Sequence, residues 1–205
     1  MGTNQYYSRY DLMYLTIGVE DGWIKVTPKV WKEYLQAQRI LTMTLKGLID
    51  EDFVNYKKPA MVLEFPYCSF KCDKDCGRQV CQNSDLALAP NIEIHEQAIV
   101  KRYLANSITE AIVMQGLEPF DSILSLMSLI HLLRYDYNCH DDIVIYTGYT
   151  KQELQDMQLD ILTKLKNYDN IIIKYGRFIP DCEQHYDEVL GVHLASPNQY
   201  AERIS

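Results

Sequence analysis

The chain has 205 residues, 47% of them hydrophobic and 23% charged, a composition that suits one α/β domain with a small addition. Its 20 basic and 28 acidic side chains leave a formal charge of −8, which argues against a general nucleic-acid or anionic-membrane surface, since those need clustered Lys and Arg. No apolar run approaches the ~20 residues that span a bilayer, and Met1–Tyr10 carries no basic-then-apolar leader, so a cytoplasmic location is expected.

Residues 1–58 read as an appendage. Leu12–Ile17 and Trp23–Val26 are predicted strands joined by a turn at Glu20-Asp21-Gly22. Thr27-Pro28 then supplies an N-cap and a proline at the first helical position. Val30, Tyr34, Ile40, Leu41, Leu45, Leu48 and Ile49 follow at roughly helical spacing, which predicts one long helix ending near Asp50.

From residue 59 onward strands and helices alternate. Ala60–Phe65, Ala111–Met114, Asp142–Thr147 and Asn170–Tyr175 are predicted strands, with a short strand at Gly191–Leu194 in an otherwise irregular tail. His95–Ala105, Asp121–Tyr135 and Lys151–Asn167 are predicted helices. This order indicates an α/β fold with a parallel sheet, and too few strands for a closed eight-stranded barrel favour an open or partial one over residues 59–205. Chemistry in such folds gathers at the carboxyl ends of the strands.

The first predicted strand leads into a loop bearing Cys68, Cys72, Cys76 and Cys81, four of the six cysteines in the chain. In a reducing compartment such a cluster favours metal binding over disulfides. The intervening residues number three, three and four, whereas zinc sites more often use paired C-x₂-C knuckles. On spacing alone, an iron–sulfur centre and a structural zinc remain equally open. Cys139 and Cys182 stand apart and read as isolated thiols.

Several motifs in order resemble the radical SAM superfamily, and within it the anaerobic ribonucleotide-reductase activating proteins. Cys68-x₃-Cys72 followed by further cysteines is similar to the superfamily's C-x₃-C-x₂-C motif, although the C-x₂-C step is absent here. Cys81-Gln82-Asn83-Ser84 resembles the C-x-N-P segment that closes the motif in the activating proteins. Two ligand assignments follow: Cys68, Cys72 and Cys81, which Asn83 favours, or Cys68, Cys72 and Cys76. Gln115-Gly116-Leu117-Glu118-Pro119 is similar to the G-G-E-P motif, with Leu117 at the second glycine. Tyr146-Thr147-Gly148-Tyr149 resembles a Y-T-G-Y strand end. Tyr175-Gly176-Arg177-Phe178 resembles D-G-x-F, with Tyr175 at the aspartate, and Ser196-Pro197-Asn198-Gln199 resembles S-x-N-Q.

The resemblance implies an open radical SAM barrel and a [4Fe–4S] cluster on three cysteines. It also implies S-adenosylmethionine at the fourth iron, bound by Gln115, Gly116, Glu118, Tyr146, Thr147 and Gly148. It further implies a glycyl-radical enzyme as protein substrate and an electron donor such as flavodoxin or ferredoxin. The alternatives are a radical SAM enzyme with a small-molecule or peptide substrate, and a non-catalytic zinc- or cluster-binding module.

Overall fold

Four parallel strands form the centre of the molecule, and their sequences show why. The computed structural model describes residues 17–19, 22–24, 42–157 and 160–205. Strands β5 (Ala60–Phe65), β7 (Ala111–Gly116), β8 (Asp142–Tyr146) and β9 (Ile171–Tyr175) pair in parallel in that order. Each is apolar on both faces, as a sheet covered on both sides requires. Two antiparallel edges complete a six-stranded mixed sheet: β4 (Gly47–Asp52) beside β5, and β12 (Tyr200–Arg203) beside β9.

The two faces differ in side-chain size. One carries Met61, Leu63, Phe65, Ile112, Met114, Ile143, Ile145, Ile171 and Ile173. Against it pack α3 (Glu96–Ala105), α4 (Ile123–His131), α5 (Lys151–Asp156) and α6 (Ile161–Leu165). The other face carries the smaller Ala60, Val62, Ala111, Val113 and Val144, with Ile172. Tyr56 and Leu190 close it, together with Leu194 from the hairpin of β10 (His185–Asp187) and β11 (Val192–Leu194). Because side chains alternate along a strand, the next residue of this second face on each parallel strand is polar: Glu64, Gln115, Tyr146 and Lys174. Glu64 is paired with Gln115, and Tyr146 with Lys174, so the four lie at one level across the sheet.

The chain divides into two compact units, Met1–Leu41 and Thr42–Ser205. In the first, β1 (Ile17–Val19) pairs antiparallel with β2 (Gly22–Ile24), and Glu20 and Asp21 of the expected turn lie outside the described residues. The rest of the predicted first strand, the end of the second, and the predicted helix up to Leu41 lie outside the described residues.

The C-terminal half of that predicted helix is corrected. Residues 42–52 form β3 (Thr42–Leu45) and β4, and they belong to the larger unit, not to an appendage ending at 58. Met43 and Leu45 are buried in alternation with Thr42 and Thr44, and β3 pairs with β6 (Ile92–His95). Spacings of three and four among Leu41, Leu45, Leu48 and Ile49 mimic a helix. Gly47 and the pairing of β4 with β5 decide for strand. The predicted helix Lys151–Asn167 is likewise two helices, with Asp160 in the left-handed region (φ 46°) before α6. Among the described residues no helix is long and apolar enough to cross a membrane.

Candidate metal centre

The cysteine loop leaves β5 through Pro66 and Tyr67 and lies over the carboxyl ends of the parallel strands. Helix α1 (Lys71–Cys76) begins after Phe70, whose left-handed backbone (φ 51°) turns its N–H onto Cys68 Sγ at 3.2 Å. Gly77 ends the helix, also with positive φ. Asp73 then folds the chain back: its Oδ1 accepts from Val80 N–H at 2.7 Å and Cys81 N–H at 2.8 Å. The segment continues into α2 (Ser84–Leu88).

Three contacts tie this loop to the strand ends. Asn83 Nδ2 donates to the Gly116 carbonyl at 2.6 Å, joining the Cys81 segment to β7. Ser69 N–H donates to Asp121 Oδ2 at 2.7 Å. Lys71 pairs with Glu153 at 3.2 Å and lies 4.5 Å from the centre of the Tyr149 ring. Glu153 also accepts from Arg177, which pairs with Asp75 at 3.0 Å, so helix α1 is held on both flanks.

Beneath the loop is a cavity of about 340 Å³. Cys68, Cys72 and Cys81 line one wall, and Cys76 does not. The polar row Glu64, Gln115, Tyr146 and Lys174 lines it as well, as do Gly116, Glu118, Thr147 and Gly148. All six residues that the resemblance assigns to the cofactor therefore meet on the cavity that holds the three thiols. Burial pushes the Cys68 thiol up to about 12, against the Phe70 N–H, with Glu118, Asp121 and Cys81 adding to the rise. Burial also raises Cys72, opposed by the Phe178 N–H. Metal binding must therefore displace protons from these thiols.

The strand-end motifs have definite structural work. Gly116 has φ +95°, and a Cβ there would lie 2.7 Å from Phe65 N and 2.8 Å from Glu64 Cα. The close approach it permits is thus to strand β5. Glu118 is 4% exposed and accepts from Gly148 N–H at 2.9 Å, Phe120 N–H at 3.1 Å and Thr147 Oγ1–H at 2.8 Å, joining the ends of β7 and β8. Burial pushes its carboxyl up to about 7 despite these donors. Gly148 differs from Gly116: a Cβ there would meet Glu118 Oε2 at 3.7 Å and Cys72 Sγ at 3.9 Å, facing the cavity at ordinary contact distance.

Asn198 and Gln199 act on the protein's own backbone. Asn198 Nδ2 donates to the Arg177 carbonyl at 2.8 Å. Gln199 Oε1 accepts from Ala195 N–H at 3.0 Å and Ser196 N–H at 3.2 Å. Together they fix the Gly176-Arg177 turn at the end of β9. Cys139 is buried beside Asp141 and Cys182 is exposed; neither lines the cavity.

Like Glu64, Lys174 lines the cavity yet has no place in the sequence motifs. Its only signal was a lysine inside the otherwise apolar run Ile171–Tyr175.

Several thiols lining one cavity, above the ends of parallel strands in an α/β protein, are the donor type that a thiolate-ligated metal centre uses. The chain belongs to the 4Fe-4S single cluster domain family, whose model matches residues 60–195, from the start of β5 to just beyond β11. No curated protein and no solved structure matches the chain. The donor types fit the cluster that the family implies: three thiols line a cavity large enough for a multi-atom group, and Cys68 and Cys72 each accept a backbone N–H bond.

Proposed function

We propose that the protein is a radical SAM enzyme whose [4Fe–4S] cluster is held by Cys68, Cys72 and Cys81. The observation that carries the reading is the shared cavity, where these thiols meet the two strand-end motifs, while Cys76 lies off its wall. The family match supports the cluster. The four parallel strands are read as part of an open barrel, with the polar row on its inner face.

When bound, the reduced cluster supplies one electron to S-adenosylmethionine, cleaving it to methionine and a 5′-deoxyadenosyl radical. The chain's own residues bind, orient and shield. The Glu118 carboxylate has about four lone-pair positions, and three protein donors leave room for the ammonium of the cosubstrate. That ammonium lowers the raised pKa again and keeps the carboxylate charged. Gly148 leaves open the space between Glu118 and Cys72. Asn83 ties the Cys81 segment to the Gly116 carbonyl at the end of β7.

By the same reading the substrate is a glycine of a glycyl-radical enzyme, such as an anaerobic ribonucleotide reductase, and a flavodoxin or ferredoxin supplies electrons. The test is anaerobic reconstitution followed by reduction with S-adenosylmethionine present. Iron, acid-labile sulfide and 5′-deoxyadenosine are expected. Zinc without iron, or a reduced cluster that releases no 5′-deoxyadenosine, refutes the proposal. A glycyl EPR signal on mixing with the partner enzyme tests the substrate, and its absence beside intact cleavage points to a different substrate.

A further inference from the structure

Lys174 is an unusual residue to find on the inner face of a central strand. It is 6% exposed, and its Nζ donates to the Gly176 carbonyl at 2.8 Å. A lysine ammonium has three donors. Among the described residues no carboxylate lies within ion-pair distance of it, whereas the other two cations lining the cavity, Lys71 and Arg177, both pair with Glu153. Glu118 is near enough to act on it electrostatically but directs its oxygens to three other donors. A buried ammonium with one neutral acceptor is costly unless an anion offsets it. The cavity is therefore built with a cation that lacks its counter-charge.

Lys174 lines the same cavity as Cys68, Cys72 and Cys81. We propose that Lys174 is the buried counter-cation of the iron–sulfur cluster and raises its one-electron reduction potential. The proposal rests on the reading that Cys68, Cys72 and Cys81 hold that cluster. Reduction by a low-potential one-electron donor adds one negative charge to an already anionic thiolate cluster, and a fixed cation nearby favours that reduced state. Lys174 is thus a positioning residue that acts through the cluster and exchanges no atoms. Burial pulls its pKa down to about 8, with Glu118 and Cys72 acting against that fall. An anionic cluster acts in the same sense as those two groups, so Lys174 stays charged when the cluster is present.

The experiment compares the full chain with Lys174→Met, Lys174→Gln and Lys174→Arg after anaerobic reconstitution. Iron and sulfide per chain are measured first, then the midpoint potential by EPR-monitored dithionite titration. A unit charge buried on the lining of the same cavity changes a one-electron equilibrium by on the order of tenfold. The neutral variants should therefore bind iron and show a reduction equilibrium about tenfold less favourable, which is about 59 mV lower. Lys174→Arg should keep the wild-type value. Loss of the cluster from both neutral variants, with loading retained in Lys174→Arg, supports the same role. Wild-type potential in a loaded neutral variant overturns it, as does equal loss of the cluster in all three. A wild-type chain that binds no iron refutes the cluster reading itself, and this inference with it.

Discussion

Two glycines of the candidate site offer the same mutation with opposite consequences. At Gly116 the φ is +95° and an alanine Cβ would lie 2.7–2.9 Å from three backbone atoms of Glu64 and Phe65. Backbone atoms of a paired central strand cannot swing aside. The unfavourable dihedral costs about 1–3 kcal/mol and the overpacking a similar amount, so Gly116→Ala should destabilise by roughly 2–6 kcal/mol. In a chain of this size that lowers the melting temperature by on the order of 10 °C. At Gly148 the nearest atoms to an added Cβ are side-chain atoms at 3.7–3.9 Å. Gly148→Ala should change the metal-free stability by less than about 1 kcal/mol, in the range of a tolerated substitution. It places a methyl between Glu118 and Cys72, so cluster uptake or S-adenosylmethionine binding should fall while the fold survives. Thermal melts of the metal-free proteins, followed by iron content and 5′-deoxyadenosine yield, separate the two effects. A Gly148→Ala protein that melts as low as Gly116→Ala would sink the reasoning. So would one that loads iron and cleaves S-adenosylmethionine like the wild type.

Alanine at Cys68, Cys72 or Cys81 should abolish the cluster, and at Cys76 should spare it; iron, sulfide and visible absorbance decide, and loss at Cys76 with retention at Cys81 reverses the assignment. For Glu118 burial pushes the folded carboxyl from its ordinary 4.5 up to about 7, so its protonated form is favoured on folding. Its contribution is complete below pH 4.5 and lost as pH rises through about 7, a loss of roughly 3 kcal/mol in the metal-free protein. Denaturant titrations across that window should show a weaker pH dependence in Glu118→Gln. Gln199→Ala removes the acceptor of two backbone N–H groups and should cost roughly 2–4 kcal/mol in guanidinium unfolding. A neutral result there would mean that water replaces the amide.

The parallel core was legible because its signal is redundant. Ala60–Phe65 and Ile171–Tyr175 are apolar at almost every position, which suits a strand covered on both faces. The edges were not, because their identity depends on what they pair with. Tyr200–Arg203 is a strand only by virtue of its antiparallel register with Tyr175–Ile172, and nothing in Tyr-Ala-Glu-Arg announces it. At Thr42–Asp52 two periodicities compete in the sequence, and long-range pairing to β5 and β6 selects the strand.

The site was legible as a set of motifs and not as a division of labour between them. Order along the chain groups the cysteine loop with the ends of β7 and β8, and residues of all three line one cavity. Which residues face the cofactor and which hold the frame depends on atomic neighbours. Gly116, Glu118 and Asn83 look alike as motif residues, yet Gly116 makes room for a strand and Asn83 clamps the metal loop to it. Glu118 spends three bonds on the protein before any ligand arrives. Spacing does not separate Cys76 from Cys81, because what differs between them is tertiary: Asp73 captures the Val80 and Cys81 amides and folds the chain back, and Cys81 lines the cavity while Cys76 does not. Asp73→Ala should then loosen Cys81 and lower cluster affinity while leaving every thiol in place. A variant with wild-type iron retention under mild chelation would show that Cys81 is held by something other than this turn.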